Sequence, residues 1–212
     1  MRKVLQKTVM KTGRGLCSMS IEYYNKYAEE FYNATASADM SEACNKFLKY
    51  IASGGKILDA GCGSGRDSLY FIKHGYKVVS IDASEEMVRL SSKLTGQQTL
   101  LMKFEDVDFK DEFDGIWACA SLLHVPKAKI KSVMTKLAQA LKENGIFFGS
   151  FKYGEGEEYR GERLFNFYDE NSLRALFGEI KQLEILEIWI TEDVRPGKEG
   201  EMWANCLCRR KN

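Results

Sequence analysis

A glycine-rich turn between a strand-like run and a helix constrains the fold of this chain more than any other feature. The apolar run 57–60 contains one acid, Asp59, and leads into three glycines at alternate positions, Gly61, Gly63 and Gly65. Glycine is needed where a backbone turns sharply or lies directly against a ligand. A helix that begins just after such a turn directs free N–H groups at whatever is bound there. The pattern therefore predicts a nucleotide-type cofactor site at the edge of a parallel sheet.

The glycine spacing does not fit the two commonest nucleotide-binding motifs. The dinucleotide fingerprint needs a third glycine where this chain has Arg66, and no Gly-Lys-Ser/Thr sequence follows for a phosphate loop. Asp59 is also poorly suited to an anionic pyrophosphate, and it favours a ligand with a positively charged part. A nicotinamide-dependent dehydrogenase is therefore disfavoured.

Strand and helix patterns alternate through the middle of the chain. Further strand-like runs follow the glycine turn at 77–82, 99–102, 113–119 and 145–151. Amphipathic helical patterns lie between several of them, and this alternation is typical of a parallel, doubly wound α/β sheet. Near the end of the chain, the β-rich runs 183–191 and 201–208 flank a polar loop with Pro196-Gly197, which predicts a hairpin.

Residues 58–65, Leu-Asp-Ala-Gly-Cys-Gly-Ser-Gly, resemble motif I of the class I S-adenosylmethionine-dependent methyltransferases. The wider run 61–78 resembles the TehB-type (tellurite resistance) and UbiE/UbiG-like branch, and the resemblance is specific over about residues 55–150. It implies S-adenosylmethionine as the cofactor, S-adenosylhomocysteine as the product, and no metal. It also implies a Rossmann-like sheet of about seven strands, mostly parallel, with an antiparallel C-terminal edge hairpin.

Length and composition predict one domain, because 212 residues with 44% hydrophobic content can bury a single substantial core. We expect residues 1–19 to be a disordered basic tail and residues 20–212 to form a single methyltransferase domain. Within it we expect cover helices at 20–53 and the cofactor-binding core at 55–150. A lid loop, a helix and the hairpin are expected at 151–212.

Apolar-run length, charge and cysteine usage limit the partners. No apolar run approaches the roughly 20 residues that span a bilayer, so we expect no membrane association. The net charge of +1 provides no global field for nucleic acid, although a local basic groove is left open. The six cysteines are scattered, and the lone C-x-C at 206–208 lacks the second ligand pair of a zinc site. We therefore expect reduced thiols in a cytoplasmic protein. For the oligomeric state we expect either a monomer or a homodimer.

The cofactor-binding residues are predicted to follow successive strands. Asp82 lies about twenty residues beyond the glycines, at a strand end where an acid accepts hydrogen bonds from both ribose hydroxyls. The resemblance assigns the adenine to the carboxylate of Asp106 and the backbone N–H of Val107. Either Asp82 or Asp106 alone is more often a helix or turn cap, but the ordered set favours function. The predicted cofactor-binding residues are Asp59, Gly61, Cys62, Gly63, Gly65, Asp82, Ala83, Met87, Asp106, Val107 and Ser121.

Two residues are predicted to act in catalysis. His124 follows the fourth strand, towards the expected methyl-transfer site, and a histidine there is a candidate general base near neutral pH. The alternative is a histidine that packs in the loop or caps the next helix. Tyr24 matches an aromatic position of the Y-x-x-x-A-x-x-Y/F helix that closes over the cofactor in the UbiE/UbiG-like branch. The alternative is that its helix is an amphipathic cover helix.

The segment 152–163 is charged, glycine-rich and too polar for a core. It follows the fifth strand on the side where ligands bind in such sheets, so a lid that orders over the substrate is one interpretation. Tyr153, Arg160 and Arg163 are then the predicted substrate-binding residues, with the arginines bound to an anionic group. A solvated surface loop with local ion pairs is the other interpretation.

These features together predict a methyltransferase that uses S-adenosylmethionine to methylate a small-molecule acceptor at oxygen, nitrogen, sulfur or a chalcogenide. An RNA- or tRNA-modifying methyltransferase is one alternative, because many such enzymes share the core. A non-catalytic protein that binds S-adenosylmethionine is another.

Overall fold

Seven α-helices and nine β-strands make up the part of the chain that the computed structural model describes, residues 16–211. The helices are α1 Leu16–Lys26, α2 Ala28–Thr35, α3 Ser41–Leu48, α4 Arg66–Lys73, α5 Glu85–Thr95, α6 Lys127–Ala140 and α7 Glu170–Gly178. The strands are β1 Lys56–Ala60, β2 Lys77–Asp82, β3 Leu100–Leu101, β4 Phe113–Ala118, β5 Leu141–Tyr153, β6 Glu157–Arg160, β7 Arg163–Tyr168, β8 Leu183–Glu192 and β9 Met202–Arg210. Short 3-10 helices lie at Phe104–Asp106 and Leu122–His124.

The strands form a mostly parallel sheet in the order β3-β2-β1-β4-β5. Strand β1 pairs in parallel with β2 and β4, and β4 pairs in parallel with β5. Strand β9 then adds to β5 in the antiparallel direction, and β8 pairs with β9. The predicted fold class is confirmed, including the antiparallel C-terminal hairpin.

The core lies on both faces of the sheet, because adjacent strand residues point to opposite sides. Ile116 and Phe147 belong to the apolar cluster that contains residues of α6 and α7. Trp117 and Phe148 belong to the cluster that contains residues of α3 and α4, and their rings stack with centroids 3.9 Å apart. Burial on both faces explains why these strands are continuous apolar runs in the sequence.

Two helices start at side-chain caps, and a third starts at a left-handed glycine. The Ser84 hydroxyl accepts a hydrogen bond from the Met87 N–H (3.2 Å) at the start of α5. Asp169 and Ser172 form a reciprocal capping box at the start of α7. Helix α4 begins directly after Gly65, whose φ of +81° is the left-handed conformation that favours glycine.

Strand β5 is longer than predicted and pairs with three neighbours. It pairs with β4 up to Gly149, with β9 from Ile146 to Lys152, and with β7 in parallel at Lys152 and Tyr153. Strand β7 therefore continues the sheet beyond the end of β4, and it pairs with β6 in an antiparallel hairpin.

The expectation of a polar lid loop at 152–163 is wrong. Most of this segment belongs to β5 and to the β6–β7 hairpin, which raises the number of strands from about seven to nine. The buried apolar residues 164–168 directly follow the segment and anchor the hairpin to the sheet. The boundary of the N-terminal tail also changes, because α1 begins at Leu16 rather than after residue 19. The rest of that expectation, on residues 1–15, lies outside the described residues, as does residue 212.

Candidate active site

A cavity of about 810 Å³ lies at the carboxyl ends of β1, β2 and β4 and extends to the β8–β9 hairpin. Helices α1 and α2 contribute to its wall through Tyr24 and Phe31. Eleven of the sequence-predicted site residues line it: Tyr24, Asp59, Gly61, Cys62, Gly63, Asp82, Ala83, Met87, Ser121, His124 and Arg163.

The glycine turn approaches its neighbours too closely for other residues. Gly61 has a φ of +79°, and a Cβ at this position would lie 2.5 Å from the Cβ of Ser121. The Ser121 hydroxyl in turn donates to the Ala60 carbonyl (2.7 Å), which joins the ends of β1 and β4. Gly65 has a similar role, because its Cβ would lie 2.5 Å from Ser91 Oγ. Gly65 packs against α5 and does not line the cavity, and its contact with the cofactor stays a prediction.

Asp82 is held at the end of β2 by two backbone donors. The N–H groups of Gly63 and Ser84 each donate to one of its carboxylate oxygens, both at 2.9 Å. Burial raises the pKa of Asp82 in spite of these hydrogen bonds. Each carboxylate oxygen has a second acceptor position, so the group can still accept hydrogen bonds from two hydroxyls in the cavity.

Asp59 lines the cavity as a buried acid without a cation of its own. Ser68 donates to it (2.6 Å), while the nearby Arg66 is bound through two nitrogens to Asp67, at 2.6 and 2.8 Å. Burial, and then the charge of Asp67, raise the pKa of Asp59 above its usual range. A cationic group in the cavity would reverse part of this shift, because it favours the ionised carboxylate.

Asp106 lines a smaller adjoining recess of about 330 Å³. The recess shares Ala83, Met102 and Lys103 with the main cavity, so the two lie side by side. The side chain of Val107 is buried outside both linings, and its N–H lies 3.4 Å from the Phe104 carbonyl, a long hydrogen bond.

Tyr24 and His124 meet across the cavity in a defined hydrogen-bonded chain. The Leu164 carbonyl lies 2.6 Å from His124 Nδ1, so Nδ1 carries the proton of the neutral ring. His124 Nε2 is then the acceptor of the Tyr24 hydroxyl, at 2.8 Å. Burial lowers the pKa of His124 to about 4, so the ring is neutral near pH 7. Burial also raises the pKa of Tyr24, against the effect of the neighbouring Arg163.

The three predicted substrate-binding residues separate in the structure. Arg163, the first residue of β7, lines the cavity, and its guanidinium lies over the Tyr23 ring at 4.4 Å. Tyr153 is 42% exposed at the end of β5 and lies outside the lining. Arg160 is exposed on β6, where it pairs with Glu158 at 2.6 Å. Neither Tyr153 nor Arg160 lines the cavity, because Tyr153 lies at the exposed end of β5 and Arg160 lies on the outer strand of the hairpin, so their roles in substrate binding stay predictions.

The far end of the cavity contains residues that sequence reasoning missed. Alternate residues of three neighbouring strands face it: Ser150 and Lys152 of β5, Trp203 and Asn205 of β9, and Trp189 and Thr191 of β8. Strand alternation explains their shared face. A lysine two residues beyond a serine in an otherwise apolar strand was the available signal.

A buried charge network closes this end. Lys152 bonds to Glu201 and lies 3.5 Å from Asp193, and Arg195 binds Asp193 through two nitrogens. Burial raises the pKa of Asp193, but hydrogen bonds from Arg195 and Trp203 outweigh it and hold that pKa well below the usual range. Bonds from Lys152 and Lys198 lower the pKa of Glu201 to about 2.

Among the residues that the structure describes, no group of three or more His, Cys, Asp or Glu side chains is positioned to hold a metal ion. None of the helices in residues 16–211 is both long enough and apolar enough to cross a bilayer.

Residues 57–145 match the methyltransferase domain family. A putative methyltransferase, YqeM, from Bacillus subtilis is 32% identical over 112 residues, which is 48% of this chain and 45% of that protein. A probable S-adenosyl-L-methionine-dependent methyltransferase, TehB, from Haemophilus influenzae is 24% identical over 68% of this chain and 57% of its own length. The chain therefore spans about half the length of these relatives.

The fold is also that of solved methyltransferases. A 1,6-didemethyltoxoflavin-N1-methyltransferase from Burkholderia thailandensis, solved with its substrate and S-adenosylhomocysteine, superposes with a TM-score of 0.78. The superposition covers 98% of this chain and 94% of that one at 18% identity. Residues 57–145 thus match the methyltransferase domain family, and the fold of the chain is that of solved methyltransferases.

Proposed function

We propose that this protein transfers the methyl group of S-adenosylmethionine to a small-molecule acceptor. The main support is the position of three acids: Asp59 and Asp82 line one cavity with the glycine turn, and Asp106 lines the adjoining recess. The membership of residues 57–145 in the methyltransferase domain family supports the same conclusion.

The residues fit the cofactor by chemistry. Asp82 would accept both ribose hydroxyls, since its oxygens keep free acceptor positions beside the two backbone donors. Asp59 would bind the cationic amino-acid part, which explains a buried acid with no cation of its own. Asp106 in the recess beside Ala83 and Met102 would accept the adenine amine. Cys62, Met87 and Ser121 would complete the wall, and the bound sulfonium would supply an electrophilic methyl group.

Tyr24 and His124 would orient the acceptor. A histidine with a pKa of about 4 is poorly matched to a general base at neutral pH, because the best catalytic pKa lies near the working pH. Without bound ligands, His124 holds the Tyr24 side chain in place, because its Nε2 accepts a hydrogen bond from the Tyr24 hydroxyl at 2.8 Å. Proton removal by His124 would require the acceptor or cofactor to raise its pKa.

The cavity of about 810 Å³ and the net charge of +1 support a small molecule as the acceptor. The solved relative with 1,6-didemethyltoxoflavin and the Aphanothece halophytica sarcosine/dimethylglycine N-methyltransferase, which is 29% identical over 138 residues, are consistent with this class.

Calorimetric titration with S-adenosylmethionine, S-adenosylhomocysteine and NAD tests the proposal. We expect the first two to bind and NAD not to bind. Asp82→Ala should weaken binding of S-adenosylhomocysteine by about 1–3 kcal/mol through lost hydrogen bonds. Asp108→Ala, at an exposed aspartate outside the cavity, is the matched control.

Selective binding of NAD would contradict the proposal, as would full affinity in a folded Asp82→Ala variant. Binding of S-adenosylmethionine without turnover across thiol, phenol, amine and carboxylate acceptors would indicate a cofactor-binding protein that is not an enzyme.

A further inference from the structure

The cations that line the cavity differ in whether a carboxylate neutralises them. Lys46 pairs with Glu187, Arg66 with Asp67, Lys152 with Glu201 and Asp193, and Arg195 with Asp193. Lys103 is exposed and lies at the recess beside the cofactor end. Among the described residues, Arg163 is the one half-buried cation of the lining that forms no ion pair.

Arg163 also has an unsatisfied donor. Its Nε is buried and has no hydrogen-bond partner among the described residues. A buried charged donor without a partner costs more free energy than a neutral one, so such a group in a cavity indicates that a ligand supplies the acceptor.

The surroundings of Arg163 are aromatic rather than acidic. Its guanidinium lies over Tyr23 at 4.4 Å and over Phe165 at 5.0 Å. The Tyr24 hydroxyl and the neutral His124 are close enough for Arg163 to affect the pKa of both. The ring faces attract the guanidinium but carry no full negative charge, so no carboxylate among the described residues neutralises Arg163, and the rings offer flat apolar surface to a ring-containing ligand.

We infer that the methyl acceptor carries an anionic group that Arg163 binds beside the Tyr24–His124 pair. The acceptor is thus an acid, such as a carboxylate on an apolar ring, and not a cationic amine. This inference rests on the proposed methyltransferase function, because it names the acceptor of that same cavity. A guanidinium suits this role, since it presents several N–H donors in a plane that matches a carboxylate.

Three probes of one shape test the charge preference. They are 3-hydroxybenzoate, 3-hydroxybenzyl alcohol and 3-hydroxybenzylamine, titrated calorimetrically into the full chain with and without S-adenosylhomocysteine. We expect the benzoate to bind about tenfold more tightly than the alcohol or the amine, as a charge-assisted hydrogen bond should provide. Arg163→Gln should abolish this preference and leave the affinity for S-adenosylhomocysteine unchanged.

Arg160→Gln is the matched control, because Arg160 is an exposed, paired arginine on the neighbouring strand. It should retain the full preference for the benzoate. Arg163→Lys, which keeps the charge and loses the planar donors, should retain part of it and replaces the Gln variant if that variant does not fold.

Equal affinities for the three probes, binding of none of them, or an unchanged preference in Arg163→Gln would overturn the inference. Failure of S-adenosylhomocysteine to bind would overturn the proposed function instead. The titrations without S-adenosylhomocysteine would then still decide whether Arg163 selects an anion.

Discussion

The two ends of the cavity are built in different ways. At the cofactor end, backbone groups hold Asp82 through two N–H groups and Ser121 through the Ala60 carbonyl, while the Ser68 hydroxyl binds Asp59. The far end is the one that we propose takes the acceptor, and we call it the acceptor end. There, side chains alone hold each other in the network of Lys152, Asp193 and Arg195. A backbone N–H or carbonyl is present whichever side chain the residue has. The positions of Asp82 and Ser121 therefore depend on the backbone conformation, whereas the network at the acceptor end depends on the identity of its side chains.

The largest expected effect tests the conformational demand at the cofactor end. Gly61→Ala should lower the free energy of unfolding by about 3 kcal/mol or more, since it combines backbone strain with a clash against Ser121. Gly75→Ala is the control, because Gly75 has a φ of +83° but open space around its Cβ position. It should cost only about 1–2 kcal/mol of strain. Urea denaturation followed by tryptophan fluorescence measures both, and equal losses would show that close packing at Gly61 is unimportant.

The next effect concerns His124, which lies between the two ends. Its folded pKa of about 4 is below the usual value, so the unfolded chain binds its proton first as the pH falls. Stability from this group is present above about pH 6.5 and is lost progressively towards pH 4, by up to about 3 kcal/mol. In urea denaturation at several pH values, the free energy of unfolding should fall less steeply with decreasing pH in His124→Asn than in the wild-type protein.

His74→Asn is the control for that slope, because it removes the other histidine of the chain, which is exposed. Parallel slopes for wild type and His124→Asn would show that His124 is not buried as a neutral ring.

A smaller effect is expected from the side-chain network at the acceptor end. Asp193→Asn should lower the free energy of unfolding by about 2 kcal/mol, because Arg195 loses its carboxylate while Lys152 keeps Glu201. Asp111→Asn breaks an exposed ion pair with Arg210 and should cost about 0.5 kcal/mol. Affinity for S-adenosylhomocysteine should stay unchanged in both variants; a large loss in Asp193→Asn would remove the distinction between the two ends.

The smallest effect comes from the hydroxyl of Tyr24. Tyr24→Phe keeps the edge-to-face contact with Phe31 but removes the hydrogen bond to His124, and should cost about 1 kcal/mol of stability. Tyr50→Phe at a 45% exposed tyrosine is the control. Thermal denaturation of both variants measures the difference, and equal stability would indicate that the Tyr24 hydroxyl is bound to water in solution.

The cofactor end could be predicted from sequence because each of its parts is local. The Gly61–Gly65 turn, the acid at the end of β2 and the Ser84 cap are each encoded within a few residues. Parallel strands then bring their carboxyl ends to one edge without further information. The nine-stranded sheet differs from the expected seven strands by the β6–β7 hairpin, whose charged strand reads as a loop in the sequence.

The acceptor end could not be predicted because distant residues build it. Lys152 and Trp203 become neighbours through antiparallel pairing across about fifty residues of chain. The polar segment 152–163 was interpreted from its charge, although the buried residues after it determine its conformation. Its two arginines, Arg160 and Arg163, pair directly across the β6–β7 hairpin. Arg163 lies on β7, next to β5, and lines the cavity, whereas Arg160 lies on the outer strand, where it is exposed and pairs with Glu158.

Strand β5 gives the molecule a modular architecture. One edge continues the parallel order through β4, while other parts of the strand pair with β7 and β9, the strands that join both hairpins to the sheet. Lengthening or exchanging either hairpin would therefore remodel the chamber without altering the register of β1, β2 and β4. Changes in acceptor specificity, by natural mutation or by grafting of hairpins in the laboratory, can therefore be confined to the hairpins that pair with this one strand.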